Sequence, residues 1–107
     1  MTENRFYALI SRDTPTLVEF YATWCGPCRE MQPVLEDLER KIRTCADVIR
    51  IDTDLPENSE LTRRHRIMSV PTFILYREGR TMWRHSGMVS LDTLTDIIKR
   101  YEKATVL

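Results

Sequence analysis

The chain has no net charge, no long apolar run, no internal repeat and few cysteines, and each absence removes a class of function. Its 107 residues carry sixteen Asp and Glu against sixteen Lys and Arg. There is therefore no global field to recruit nucleic acid or an anionic membrane surface. No apolar stretch approaches the ~20 residues a helix needs to cross a bilayer. Met1-Thr2-Glu3-Asn4-Arg5 lacks the apolar core of a secretory signal. Three unevenly placed cysteines cannot build a disulfide scaffold, and one sulfur must be left over. These features predict a monomer of one domain over residues 1–107, large enough for a single core. They place it in the cytoplasm, where a closely spaced cysteine pair reads as catalytic rather than structural. An exported, periplasmic protein whose signal has been removed is the alternative.

What is present is a regular alternation of helix and strand patterns. Thr2 is a candidate N-cap for a short helix carrying Phe6, Leu9 and Ile10. The dense apolar run Leu17, Val18, Phe20 and Tyr21 reads as a central strand, Thr16 to Ala22, covered on both faces. Met31, Val34, Leu35, Leu38 and Ile42 form the inward stripe of a long helix that Pro33 should kink. Val48 to Asp52 suggests the next strand, and Pro56 to about Arg66 a short polar helix. Phe73–Tyr76 and Thr81–His85 form a hairpin turning at Glu78-Gly79. Ser90 caps a last helix with the stripe Leu91, Leu94, Ile97, Ile98 and Tyr101. The pattern predicts an α/β fold with a central mixed sheet of four strands and helices on both faces.

Between the first strand and the long helix lies Trp24-Cys25-Gly26-Pro27-Cys28. Two thiols separated by two residues at a helix start can close into a small disulfide ring and reopen. The first sulfur sits where unpaired helix amides and the positive end of the helix dipole favour a thiolate. An ordinary thiol, with pKa about 8.5, is only ~3% ionised at pH 7, so that placement raises the concentration of the attacking species. The competing reading, half of a zinc site, lacks a second spaced pair, because Cys45, His65 and His85 are scattered. No metal and no bound cofactor are expected.

The Trp24–Cys28 run, the helix proline five residues on, the triplet Val70-Pro71-Thr72 and Gly87 before the last helix together resemble the thioredoxin family. The resemblance covers roughly residues 5 to 104. It implies a thioredoxin-like fold, with one departure. The family's first edge strand has no room before Phe6, so its place is expected to stand open or to be covered by another segment.

The resemblance implies protein-disulfide reduction. Cys25 attacks a client disulfide, and Cys28 resolves the mixed disulfide. Pro71 would be a cis proline beside the sulfurs, and the Val70 backbone would pair with an extended client strand. Trp24, Gly26, Pro27, Ser69, Val70, Gly87 and Met88 would form the docking patch around Cys25. Glu19, an acid within an apolar strand, is the candidate proton acceptor for Cys28, because burial raises its pKa. Family members usually carry Asp there and Lys where this chain has Arg50, so a compensating Glu19–Arg50 ion pair is expected. Met68, Ser69 and Ser86 are also uncommon choices on the rim.

The partners implied are disulfide-containing client proteins and a flavoprotein thioredoxin reductase as electron donor. Two rival functions share this fold. One is a thiol oxidase or isomerase of the cell envelope. The other is a non-catalytic scaffold using the Trp24–Gly87 face. Cys45 reads as a surface or half-buried thiol without function, with a regulatory or dimerising thiol as the alternative. Arg63-Arg64-His65-Arg66 reads as a solvated helix end, with a docking site for an acidic partner as the alternative. His65 and His85 read as surface residues, His85 two positions from Gly87 and able to tune the patch electrostatically.

Overall fold

The computed structural model describes residues 1–102, so 103–107 of the expected domain lie outside the described residues. The elements follow in the order α1 (Glu3–Ile10), β1 (Thr16–Tyr21), α2 (Gly26–Ile42), β2 (Asp47–Asp52), a 3-10 turn (Pro56–Asn58) and α3 (Ser59–Arg64). Then come β3 (Thr72–Arg77), β4 (Arg80–Ser86) and α4 (Leu91–Tyr101). Both expected N-caps are formed. Thr2 Oγ1 accepts from the Arg5 amide at 3.2 Å, and Ser90 Oγ accepts from the Thr93 amide at 3.1 Å. Each satisfies a helix-end donor that would otherwise lack a partner.

The four strands form one sheet in the order β2-β1-β3-β4, with β1–β2 parallel and the other two pairs antiparallel. Side chains alternate across a strand, so the central strands β1 and β3 each serve two cores. Leu17, Phe73 and Leu75 meet Met31, Leu35 and Leu38 of α2 and Leu94 and Ile98 of α4 on one face. Val18, Phe20, Ile74 and Tyr76 meet Phe6 and Ile10 of α1 and Leu61 of α3 on the other. Burial on both faces is why β1 and β3 read as continuous apolar runs. Helices on both faces of a mixed four-stranded sheet match the expected architecture.

The alternation also decides where Glu19 goes. It shares the α2 face with Leu17 and Tyr21, and the parallel register sets it beside Arg50 of β2. Among the described residues no strand lies beyond β2, which is the edge strand there. Asp47, Arg50 and Asp52 line that edge with charge, which discourages indiscriminate strand pairing.

The β3–β4 hairpin turns on Glu78 and Gly79, at φ +54° and +77°. Two left-handed residues match the twist of the flanking strands. Their amides also donate to the Arg12 and Ile10 carbonyls, at 2.8 and 2.9 Å.

Neither histidine lies freely at the surface, contrary to expectation. His65 is half-buried among Phe6, Phe20 and Tyr76, with ring centroids 5.2, 5.6 and 6.3 Å away. Its Nδ1 lies 2.7 Å from the Leu61 carbonyl, as expected when the helix end folds back over the core. His85 is half-buried too. It stacks on Trp83, with Nε2 3.1 Å from the Met88 carbonyl.

Candidate active site

Cys25 is the N-cap of α2, and its sulfur is bonded to that of Cys28, with the two Cα atoms 5.2 Å apart. The Cys28 amide donates to Cys25 Sγ at 3.2 Å. A thiolate at Cys25 would receive that bond and the field of the helix N-terminus, both of which favour the charged form. Pro27 occupies the first turn, where its missing N–H leaves nothing unsatisfied. Pro33 lies inside the helix. Cys25 is 4% exposed and Cys28 1%, so the outer sulfur offers only a narrow face to an incoming group.

The second wall comes from the loop before β3. The Val70–Pro71 peptide is cis, and the Val70 carbonyl lies 3.6 Å from Cys25 Sγ. Thr72, the last residue of the triplet, fixes this loop. Its hydroxyl donates to the Ser69 carbonyl at 2.8 Å and lies 3.0 Å from Ser86 Oγ. The Gly87 amide donates to the Pro71 carbonyl at 2.8 Å, and Gly87 itself needs the left-handed φ of +98°.

Around the sulfurs the surface is unusually apolar. Trp24 is 67% exposed, Met68 91% and Met88 49%, while soluble domains rarely gather such residues without use for them. An open groove of about 570 Å³ borders Cys25, lined by 24–27 and 67–70 together with Thr53 and Thr62. It thus contains the expected Trp24, Gly26, Pro27, Ser69 and Val70. Its lining does not include Gly87 or Met88. Met68 was expected on the rim, whereas Thr53, Thr62 and Ile67 were not singled out as docking residues. Thr53 follows β2, Thr62 lies in α3 and Ile67 in the loop before Ser69, and only the tertiary fold brings the first two to Cys25.

A second contact escaped the sequence reading altogether. Trp24 Nε1 donates to Asp54 Oδ2 at 2.7 Å, across thirty positions of chain. It orients the indole at the mouth of the groove. Asp54 follows β2, and the only sequence signal was its position just after a strand end.

On the sheet face that α2 covers sits the charged pair. Glu19 is fully buried, and Arg50 Nε donates to its Oε1 at 2.8 Å. Among the described residues Oε2 has no hydrogen-bond partner. Burial pushes the Glu19 carboxyl above its ordinary value, and the hydrogen bond and charge of Arg50 pull the other way without cancelling it. Arg50 in turn lies over the Tyr21 ring, 4.1 Å from ring centroid to guanidinium carbon. Tyr21, not Trp24, therefore takes the inward aromatic position. A cleft of about 280 Å³, lined by Cys28, Arg29, Gln32 and Arg50 among others, runs from the inner cysteine to Arg50; Glu19 is not part of its lining.

Cys45 is a free, exposed thiol. Arg63 and Arg64 pair with Glu60, and Arg64 also reaches Glu3 at 3.1 Å, as a charged helix end should. Among the described residues no helix is long and apolar enough to cross a membrane.

Comparison with known proteins agrees with this geometry. The family profile described as Thioredoxin matches residues 1–100. The chain is 36% identical over 99 residues to the chloroplastic thioredoxin Y2 of Arabidopsis thaliana, covering 92% of this chain and 58% of that protein. It is 39% identical over 88 residues to the bifunctional thioredoxin reductase/thioredoxin of Mycobacterium leprae, covering 81% of this chain and 19% of that one. The chain thus spans little more than half of the first relative and a fifth of the second. Among solved structures, a point-mutant thioredoxin from Halobacterium salinarum superposes with a TM-score of 0.85 at 32% identity. That match covers 99% of this chain and 90% of the other.

Proposed function

The chain belongs to the thioredoxin family, and from that premise we propose that it is a thiol–disulfide oxidoreductase that reduces protein disulfides through Cys25 and Cys28. The carrying observation is that Cys25 Sγ caps α2, accepts the Cys28 amide, and lies against the Val70 carbonyl at the edge of an apolar groove.

In the reduced protein, the Cys25 thiolate attacks one sulfur of the client disulfide. A Cys25–client bond forms, and the other client sulfur leaves as a thiolate. Cys28, deprotonated, then attacks Cys25 Sγ. The mixed disulfide breaks, the second client thiolate departs, and the two electrons of the dithiol now reside on the client. Glu19 is the proposed acceptor of the Cys28 proton, supported by its burial on the α2 face, its Oε2 without a partner among the described residues, and the cleft that joins Cys28 to Arg50, its ion-pair partner. Arg50 tempers the Glu19 charge. Trp24, Gly26, Pro27, Ser69 and Val70 are the proposed docking surface, with Pro71 shaping its floor and Gly87 and Met88 its far rim.

No step needs a bound cofactor, but each turnover leaves a disulfide that something must reduce. The fused reductase/thioredoxin of M. leprae supports a flavoprotein reductase as that donor. The working compartment in this reading is a reducing one such as the cytoplasm.

An equilibrium redox titration of Cys25–Cys28, followed by Trp24 fluorescence, tests the assignment. A potential at or below about −230 mV places the couple with reductants. A value between about −120 and −200 mV would instead assign oxidase or isomerase work. The absence of any reversible couple would leave only a scaffold.

A further inference from the structure

The groove at Cys25 does not end at Met68. A second depression of about 460 Å³ continues it, sharing Thr53, Thr62, Ile67 and Met68 and reaching Arg63 and Arg66. The lining of the joined grooves includes no acidic residue. One end is apolar and carries the reactive sulfur; the other is cationic.

The two arginines at that end are not equivalent. Arg63 is turned to Glu60, which neutralises it. Arg66 is exposed and forms no ion pair among the described residues. Its backbone is nevertheless held firmly. Arg66 stands at φ +50°, and its amide donates to the Arg63 carbonyl at 3.1 Å. The Arg84 guanidinium donates to the carbonyls of His65 and Arg66 at 2.7 and 2.9 Å. The left-handed region is unfavourable for a residue with a side chain, and the charge-assisted bonds from Arg84 hold the turn there. A free cation has thus been mounted on a rigid turn at the end of the substrate groove.

We propose that Arg66 is a specificity residue, docking an acidic side chain of a client segment that lies extended in this groove. The preferred clients are then proteins with Asp or Glu near the attacked cysteine. Arg66 precedes Val70 by four residues, and an extended chain spans at most ~3.6 Å per residue. A client strand running past Val70 therefore brings an acid to Arg66 within about four residues of its cysteine. The proposal rests on the thiol–disulfide reading above.

The test uses single-turnover reaction of the reduced protein with homodimeric disulfide peptides. Each peptide is neutral except for one Glu, set two, three or four residues to either side of the cysteine, and is compared with its Gln counterpart. At least one Glu peptide should react about two- to fivefold faster than its Gln counterpart at low salt, the range of a solvent-exposed ion pair. The preference should vanish in 1 M NaCl, where the Debye length is about 3 Å. Arg66→Glu should remove or invert the ratio. Arg100→Glu, an equal change in net charge on α4 across the sheet, should leave it. Ratios near one for every peptide pair overturn the proposal, as does a preference that survives Arg66→Glu. If the Gln peptides are not reduced either, the oxidoreductase reading itself fails and takes this proposal with it.

Discussion

Glu19 and Arg50 face each other across the parallel β1–β2 pair, with Arg50 Nε donating to Glu19 Oε1 at 2.8 Å on the face covered by α2. Their environments are unequal. Glu19 is wholly buried, while the Arg50 side chain keeps 30% of its surface. One partner therefore bears most of the desolvation, and its proton is the one whose affinity changes.

That asymmetry sets a pH dependence. The folded Glu19 carboxyl is raised above its ordinary value of 4.5, so between the two values the native state holds more protons than the unfolded chain. Stability is then greatest below the ordinary value and falls as pH rises through the folded one, by up to ~1.4 kcal/mol per pH unit. Denaturant unfolding from pH 4 upward should show this decline, and Glu19→Gln should flatten it. In the same variant the resolving step should slow by about tenfold or more, because Cys28 loses its proton acceptor. A decline that persists unchanged in Glu19→Gln would assign the effect to another group.

Division of labour between the sulfurs predicts two different failures. Cys25→Ser should abolish reduction of client disulfides. Cys28→Ser should still attack but should stop at the mixed disulfide, leaving the client covalently attached. Mass spectrometry of the variant mixed with a disulfide peptide should find the adduct on Cys25 alone. An adduct on Cys45, which is also exposed, would contradict the assignment.

Much of this arrangement was legible because its signals are local. The apolar runs of β1 and β3, the caps Thr2 and Ser90, and the Cys25-Gly26-Pro27-Cys28 helix start each announce themselves within a few residues. The Glu19–Arg50 pair was legible too, since an acid in an apolar strand demands a partner. What stayed hidden depends on where distant segments meet. Nothing near Asp54 points to the Trp24 indole, and nothing near His65 announces the rings of Phe6, Phe20 and Tyr76. The groove extending past Met68 toward Arg66 exists only once α3 lies beside the cysteines.

Tyr76 carries a latent cost. Its ring fills the α1-side core, but its hydroxyl is buried without a hydrogen-bond partner among the described residues, and burial raises its pKa. An unsatisfied buried polar group costs roughly 1–3 kcal/mol. Tyr76→Phe keeps the ring contacts and removes the hydroxyl, so the variant should unfold at higher denaturant by about 1 kcal/mol. Equal or lower stability would mean that the hydroxyl finds a partner in solution.

The Arg50 guanidinium has two holds, the Glu19 carboxylate and the Tyr21 ring, and removing each should have a distinct signature. Arg50→Met leaves Glu19 buried without its cation. The carboxyl then stays protonated to higher pH, so the cost should be small at pH 5 and larger at pH 8. A fully buried pair would lose about 3–5 kcal/mol when broken. Because Arg50 is partly exposed, about 1–3 kcal/mol at pH 8 is the expected range, discounted for solvent screening. Glu19→Gln combined with Arg50→Met should recover most of that loss, and the double-mutant cycle should show coupling at pH 8 that fades at pH 5. Tyr21→Phe keeps a π face under the guanidinium and should behave like the parent. Tyr21→Leu removes it and should reproduce a fraction of the Arg50→Met effect, about 0.5–1 kcal/mol. If Tyr21→Leu changes stability equally at both pH values, the ring acts by packing alone and has no hold on the Glu19 proton.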